Sequence, residues 1–179
     1  MDIQKNIYQK MLPIAFLLIT INTHAMTNHI TKIEVLGKTP NQLYDFMFDL
    51  DKVKYISWHP KEHKDFRIVK ETPELIGSVF FYHEQMDKLT VKYNWEVVEL
   101  VKNHKIVMKA QYFIPVFLTL TLDETPNGTL VTHDLQIGNK QKKGIFDFFI
   151  RHFVFTHSKQ ATLTRHANEE FKNLESLIK

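Results

Sequence analysis

The chain is 179 residues long, with ten histidines, no cysteine and a formal net charge of +3. One domain of ordinary size accounts for this length, and 44% hydrophobic with 24% charged residues is the balance of a globular protein. Without cysteine there are no disulfides, no thiolate catalysis and no Cys-based zinc module, and no Lys/Arg run exceeds Lys142-Lys143, which argues against a phosphate-neutralising nucleic-acid groove.

Residues 1–25 carry Lys5 and Lys10, then the apolar run Met11–Ile21, and end on Asn22-Thr23-His24-Ala25. That layout predicts a secretory signal peptide, too short to span a bilayer. The mature chain would be a single domain over 26–179, periplasmic or secreted and without a stable membrane anchor. The competing reading is a cytoplasmic protein translated from Met26. Ile30–Leu36 has strand composition. Thr39-Pro40 then opens a helix as an N-cap followed by proline, with Leu43, Phe46, Met47 and Leu50 on one side. A short helical or irregular piece covers Asp51–His63. Six strands are predicted over about 66–71, 78–86, 89–100, 104–112, 116–123 and 129–137. Their junctions carry turn signals at Thr72-Pro73, Asp87-Lys88, Asn103-His104 and Pro126-Asn127-Gly128. From Gly144 to the end apolar residues recur at helical spacing, with a possible break at Thr156-His157-Ser158 where an N-cap fits.

The order strand, one or two short helices, six strands and a long C-terminal helix predicts an α+β domain. Short turns make the sheet antiparallel and curved, and the amphipathic C-terminal helix is the element able to cover its inner face. Over residues 30–178 this order resembles the helix-grip fold of the START-like superfamily (SRPBCC), in which about seven strands wrap a helix and leave an internal cavity.

Several polar residues fall on apolar faces. His166 and Glu170 are four apart and lie on the helical stripe of Leu163, Ala167, Phe171 and Leu174. His152 falls on the same stripe and is read as packing. In strand 78–86, Glu84 shares a face with Phe80, Tyr82 and Met86, while Phe81, His83 and Gln85 take the other. His133 sits between Val131, Leu135 and Ile137. In Tyr55–His63 (YISWHPKEH), Pro60 can start a turn that brings His59 and His63 towards one side, flanked by Tyr55 and Trp58. Singly, each has a plain explanation: an edge pair on a helix, a solvated strand glutamate, a satisfied core histidine, a surface loop. Jointly, four elements turn His or Glu towards one cavity, a donor set that suits Zn²⁺ or a similar divalent ion. The early imidazole is His59 or His63. Trp58, His59, Phe81, Tyr93 and Trp95 are the candidates for the pocket wall.

The run Tyr55–His63, with Phe80, Tyr82, His83 and Glu84 downstream and His166-x-x-x-Glu170 near the end, resembles the diacetylphloroglucinol hydrolase and phloretin hydrolase family. These are zinc-dependent enzymes of helix-grip fold that cleave a carbon–carbon bond between an acyl group and a phenolic ring. Matched residue by residue, the resemblance implies His63 (His59 the alternative), Glu84, His166 and Glu170 as metal ligands. It matches Tyr55 to a tyrosine eight residues before the early ligand and His133 to an additional pocket histidine. Either of these two would serve as the catalytic acid. The chain is shorter than the family's hydrolases and lacks most of their N-terminal part, so the resemblance bears on the metal site more than on the substrate. The implied partner is a small apolar or phenolic molecule. Two rivals use the same fold: a non-catalytic carrier of a lipid, sterol or polyketide, and a metal-free cyclase working through His133 and Tyr55.

Overall fold

The computed structural model describes residues 26–110, 115–138 and 156–179. The leader expected over 1–25 and the packing role expected for His152 lie outside these residues. The described elements run β1 (Met26–Leu36), α1 (Pro40–Phe48), α2 (Lys52–Trp58), β2 (His63–Lys70), β3 (Val79–Met86), β4 (Leu89–Val101), β5 (Lys105–Ala110), β6 (Val116–Thr125), β7 (Gly128–Gly138) and α3 (His157–Leu177).

Each helix starts where a short polar side chain can take an orphan backbone N–H. Thr39 accepts from Gln42 N at 3.3 Å while the Gln42 side chain accepts from Thr39 N at 3.0 Å, a full capping box with Pro40 in the first turn. Asp51 accepts from Lys54 N at 2.7 Å and so starts α2, which ends at Trp58. The N-cap expected at Thr156 is present: Thr156 is extended and caps α3 by accepting from Lys159 N.

The strands form one seven-stranded sheet in the order β1-β7-β6-β5-β4-β3-β2, every neighbour pair antiparallel. Chain neighbours from β2 to β7 pair in succession, with short turns joining β3 to β4, β4 to β5 and β6 to β7. Asp87 (φ 51°) and Asn103 (φ 61°) take the left-handed conformation that Asp and Asn tolerate in such turns. The first strand instead pairs with the last, so β1 and β2 are the two edges and α1–α2 cross between them. Period-two burial sends Ile33, Val35, Val97, Leu120, Leu122 and Val131 inwards. They meet Ala167, Phe171 and Leu174 of α3, each fully buried. This is the helix-grip fold. Among the described residues no helix is long and apolar enough to cross a membrane.

Candidate metal centre

The sheet and α3 do not close completely on each other. A cavity of about 270 Å³ remains between them, near the lower end of small-molecule pockets at roughly 300 Å³ and above. Phe80, Trp95, Ile106, Met108, Leu118 and Leu135 contribute apolar lining, whereas Tyr82, Glu84, His133, His166 and Glu170 bring polar atoms.

Two rules of local geometry assemble the polar set. Antiparallel register pairs His63, the first residue of β2, directly with Glu84 of β3. Helical spacing then puts His166 and Glu170 one above the other on α3. The result is convergent. Glu170 Oε2 lies 3.4 Å from His63 Nε2 and 3.3 Å from His166 Nε2, and Glu84 Oε2 lies 3.7 Å from His166 Nε2. Ligand atoms of His63, Glu84 and His166 all fall within 4.8 Å of one another.

The surroundings hold these groups in place. His63 Nδ1–H donates to the Tyr55 carbonyl at 2.8 Å, which leaves Nε2 buried and without a hydrogen-bond partner. The Tyr55 ring stacks on the His63 imidazole, 4.0 Å between centroids with 4° between planes, and its hydroxyl donates to Glu84 Oε1 at 2.9 Å. Trp58 Nε1–H donates to the Glu170 carbonyl at 2.7 Å. Burial would raise the Glu170 pKa, but the His166 and His63 imidazoles outweigh it and hold the carboxyl well below the usual range. Burial would lower His166, yet Glu170, Glu84 and Glu62 together push it up to about 10. An imidazolium thus answers the buried carboxylates when no metal is present.

These observations fit a bound metal ion. Two imidazole nitrogens and two carboxylates form a borderline-hard set suited to zinc, and the orphaned buried Nε2 of His63 points to a missing partner. The two early imidazoles take different positions. Pro60 does start a turn, in which the N–H groups of Glu62 and His63 both donate to the His59 carbonyl at 3.0 and 2.8 Å. The two rings lie 5.5 Å apart, but His63 faces Glu170 whereas His59 Nε2 lies 3.3 Å from Glu169.

Of the pocket-wall candidates, Trp58, Tyr93 and Trp95 line the cavity. His59 does not: its ring stacks on His166, 5.1 Å away at 15°, outside the lining. Phe81 is on the opposite face of β3, under the Arg67 guanidinium at 4.2 Å, as strand alternation requires. His133 lines the cavity with Nδ1 buried and unpartnered, and burial lowers its pKa, so the imidazole is neutral. Tyr55 also reaches the lining, although its hydroxyl is committed to Glu84.

Two residues were missed by sequence reasoning. Tyr82 lines the cavity next to Glu84, and burial followed by Glu84 and Glu170 drives its phenol pKa up. Strand alternation shows its face, but nothing in the sequence separates a wall aromatic from a functional phenol. Glu62, between His59 and His63, is buried and touches His166 Nδ1 at 2.6 Å.

A curved antiparallel sheet gripping a helix, with a cavity between them and a two-His, two-Glu cluster of which Glu84, His166 and Glu170 reach the cavity, defines a helix-grip protein with a candidate metal site. No family model matches the chain, and no curated protein matches it in sequence. Among solved structures it is similar to Ara h 8.0201, at 11% identity over 86% of this chain and 97% of that one, with a TM-score of 0.60. It is similar to major latex-like protein 151 of Panax ginseng at 11% identity, over 86% of this chain and 98% of that one, with a TM-score of 0.60. A third similar structure, TTHA0849 of Thermus thermophilus, shares 16% identity over 86% of this chain and 96% of that one, at a TM-score of 0.56. At such identities the likeness establishes the fold and leaves the chemistry to the site.

Proposed function

We propose that this protein is a metal-dependent hydrolase, with zinc as the fitting ion, that cleaves the bond between an acyl carbonyl carbon and a phenolic ring. The observation that supports this most is the convergence of two imidazole Nε2 atoms and two carboxylates, of which Glu84, His166 and Glu170 line a largely apolar cavity and His63 sits buried behind them. His63, Glu84, His166 and Glu170 would hold the ion. Zinc, when bound, supplies Lewis-acid polarisation of a carbonyl oxygen and acidifies a water molecule.

The chain's own residues do the rest. Phe80, Trp95, Met108 and Leu118 seat the ring and acyl chain and exclude bulk water. Tyr82, kept protonated by burial, donates a hydrogen bond to a phenolic oxygen. His133, kept neutral and lining the cavity, accepts a proton from water. The hydroxyl adds to the acyl carbon, the carbon–carbon bond breaks, and His133 returns the proton to the ring carbon. A carboxylic acid and the deacylated phenol leave. An imidazolium in so buried a setting is a strong acid, which suits protonation of carbon. Tyr55, tied to Glu84, serves this scheme as a positioning residue.

A second reading, a carrier of an apolar molecule, draws on the same cavity and its apolar walls. One experiment separates the two. Metal analysis of the purified protein is paired with an assay of carboxylic acid release from acylated polyphenols, with and without chelator. The expected result is about one zinc per chain and activity that chelation abolishes and zinc restores. Protein that takes up no zinc and co-purifies with an apolar molecule in native mass spectrometry would overturn the hydrolase and favour the carrier.

A further inference from the structure

Next to the four converging groups sits a carboxylate that the scheme above leaves without a task. Glu62 is 5% exposed, carried inwards by the turn after Pro60 that also delivers His63. Burying a carboxylate is costly unless cationic donors meet it. Both its oxygens are met: Oε1 accepts from Arg165 Nη2 at 2.7 Å, and Oε2 accepts from His166 Nδ1 at 2.6 Å. Arg165 is itself clamped, by Glu169 at 3.2 Å and by Asp87 in the β3–β4 turn at 3.2 Å. His59 stacks on the face of His166 at 5.1 Å. The His166 ring is therefore held on one edge by Glu62 and on one face by His59, while its Nε2 edge looks to Glu84 and Glu170.

We propose that Glu62, fixed by Arg165, is a positioning residue of the metal centre: it takes the Nδ1–H of His166 and so presents the Nε2 lone pair to the ion. This rests on the metal reading above. An imidazole ligates through one nitrogen only when its proton is kept on the other, and a carboxylate partner fixes that tautomer, locks the ring and raises its basicity. Glu62 also forms, with His59 and His166, a cluster of ligand-type atoms within 4.8 Å of one another. A second cation there would have to displace the Arg165 guanidinium from Oε1 and the Nδ1 proton from Oε2. Both donors already neutralise the carboxylate, so the positioning role is the one the contacts favour.

The test measures zinc affinity by competition with a chromophoric chelator, for the parent, Glu62→Ala and Glu62→Gln. Metal-free thermal midpoints are taken beside it. Glu62→Ala is expected to weaken zinc binding by about 10- to 100-fold, in line with the loss of an outer-shell partner. Glu62→Gln, whose amide oxygen still accepts the Nδ1–H, is expected to recover part of that loss. A purely structural Glu62 would lower the thermal midpoint in both variants and leave zinc affinity within about twofold of the parent, and that outcome overturns the proposal. So does a parent binding two zinc ions of which Glu62→Ala loses one. If Glu62→Ala does not fold, a folded Glu62→Gln that binds zinc at least as tightly as the parent, with an unchanged His166 proton signal, overturns it equally. The metal reading is checked separately, because it falls when the parent itself binds no zinc. In that case the His166 Nδ1–H signal in NMR spectra of the metal-free protein decides. It is expected far downfield and protected from exchange in the parent and shifted or lost in Glu62→Gln, and an identical signal in both refutes the Glu62 contact.

Discussion

Replacing Tyr55 with Phe removes a single oxygen from a buried ring and leaves the stacking on His63 intact. That oxygen donates to Glu84 Oε1 at 2.9 Å. A hydrogen bond to a charged group contributes about 1.5–3 kcal/mol net. The Glu84 side chain is 20% exposed, so water can partly replace the lost donor and the lower end applies. About 1.4 kcal/mol is a tenfold change in an equilibrium constant. Tyr55→Phe is therefore expected to weaken zinc binding about tenfold, through a less well-aimed Glu84, with little change in fold. Burial followed by the Glu84 charge drives the Tyr55 phenol pKa far up, so the donor is present throughout the working pH range and the effect should not depend on pH between 6 and 9, roughly the span over which an unperturbed tyrosine stays protonated. The assay is a chelator competition titration beside steady-state kinetics. An unchanged zinc affinity together with a large fall in kcat would refute the positioning argument and return Tyr55 to the role of proton donor to the substrate.

Metal-free protein should be most stable in mildly acidic solution. The His166 stabilisation is complete below its ordinary value of 6.5 and is lost as pH rises through about 10, while that of Glu170 is complete above 4.5 and is lost only as pH falls well below it. Thermal midpoints should decline from pH 6.5 to 10, and Glu170→Gln should flatten that limb; an alkaline limb as steep as the parent's would count against the pair. Leu118→Trp fills the apolar part of the cavity, so it should cut the affinity for an apolar fluorescent probe at least tenfold while leaving zinc affinity unchanged, as titrations of each would show. At Gly128 an added Cβ would stand 2.1 Å from the Val35 carbonyl oxygen and 2.9 Å from Gly37 N. Gly128→Ala should accordingly cost about 3 kcal/mol, from strand displacement, in urea unfolding.

The architecture was legible because its signals are local. Alternation in Phe80-Phe81-Tyr82-His83-Glu84 assigns faces without any knowledge of the neighbouring strand, and the Thr39-Pro40 and Thr156 caps mark helix starts that the structure reproduces. The same locality served part of the site. His166 and Glu170 share a face by helical period alone, and Glu84 stood out because its face is otherwise apolar.

Other parts needed contacts that no window of sequence contains. The different placement of His59 and His63 depends on the register that pairs His63 with Glu84 and on the His63 Nδ1 bond to the Tyr55 carbonyl. Glu62 gave no signal, since a glutamate beside two lysines and two histidines looks like a solvated loop. Its burial follows from Arg165 and His166, more than a hundred residues away. Phe81 was counted as a cavity aromatic although its own strand phase sent it outwards, where Arg67 covers it.

What the sequence determined by itself was therefore the sheet-and-helix order, the apolar faces, and a histidine-rich, cysteine-free chain that limits any metal to imidazole and carboxylate donors. Only the tertiary structure decided which of those donors meet, which nitrogen each imidazole turns inwards, and which carboxylate meets His166 from behind. Periodicity is a property of one segment, whereas a site is a relation among segments. Distances of 3 to 4 Å between β2, β3 and α3 exist only after the sheet has curved round the helix.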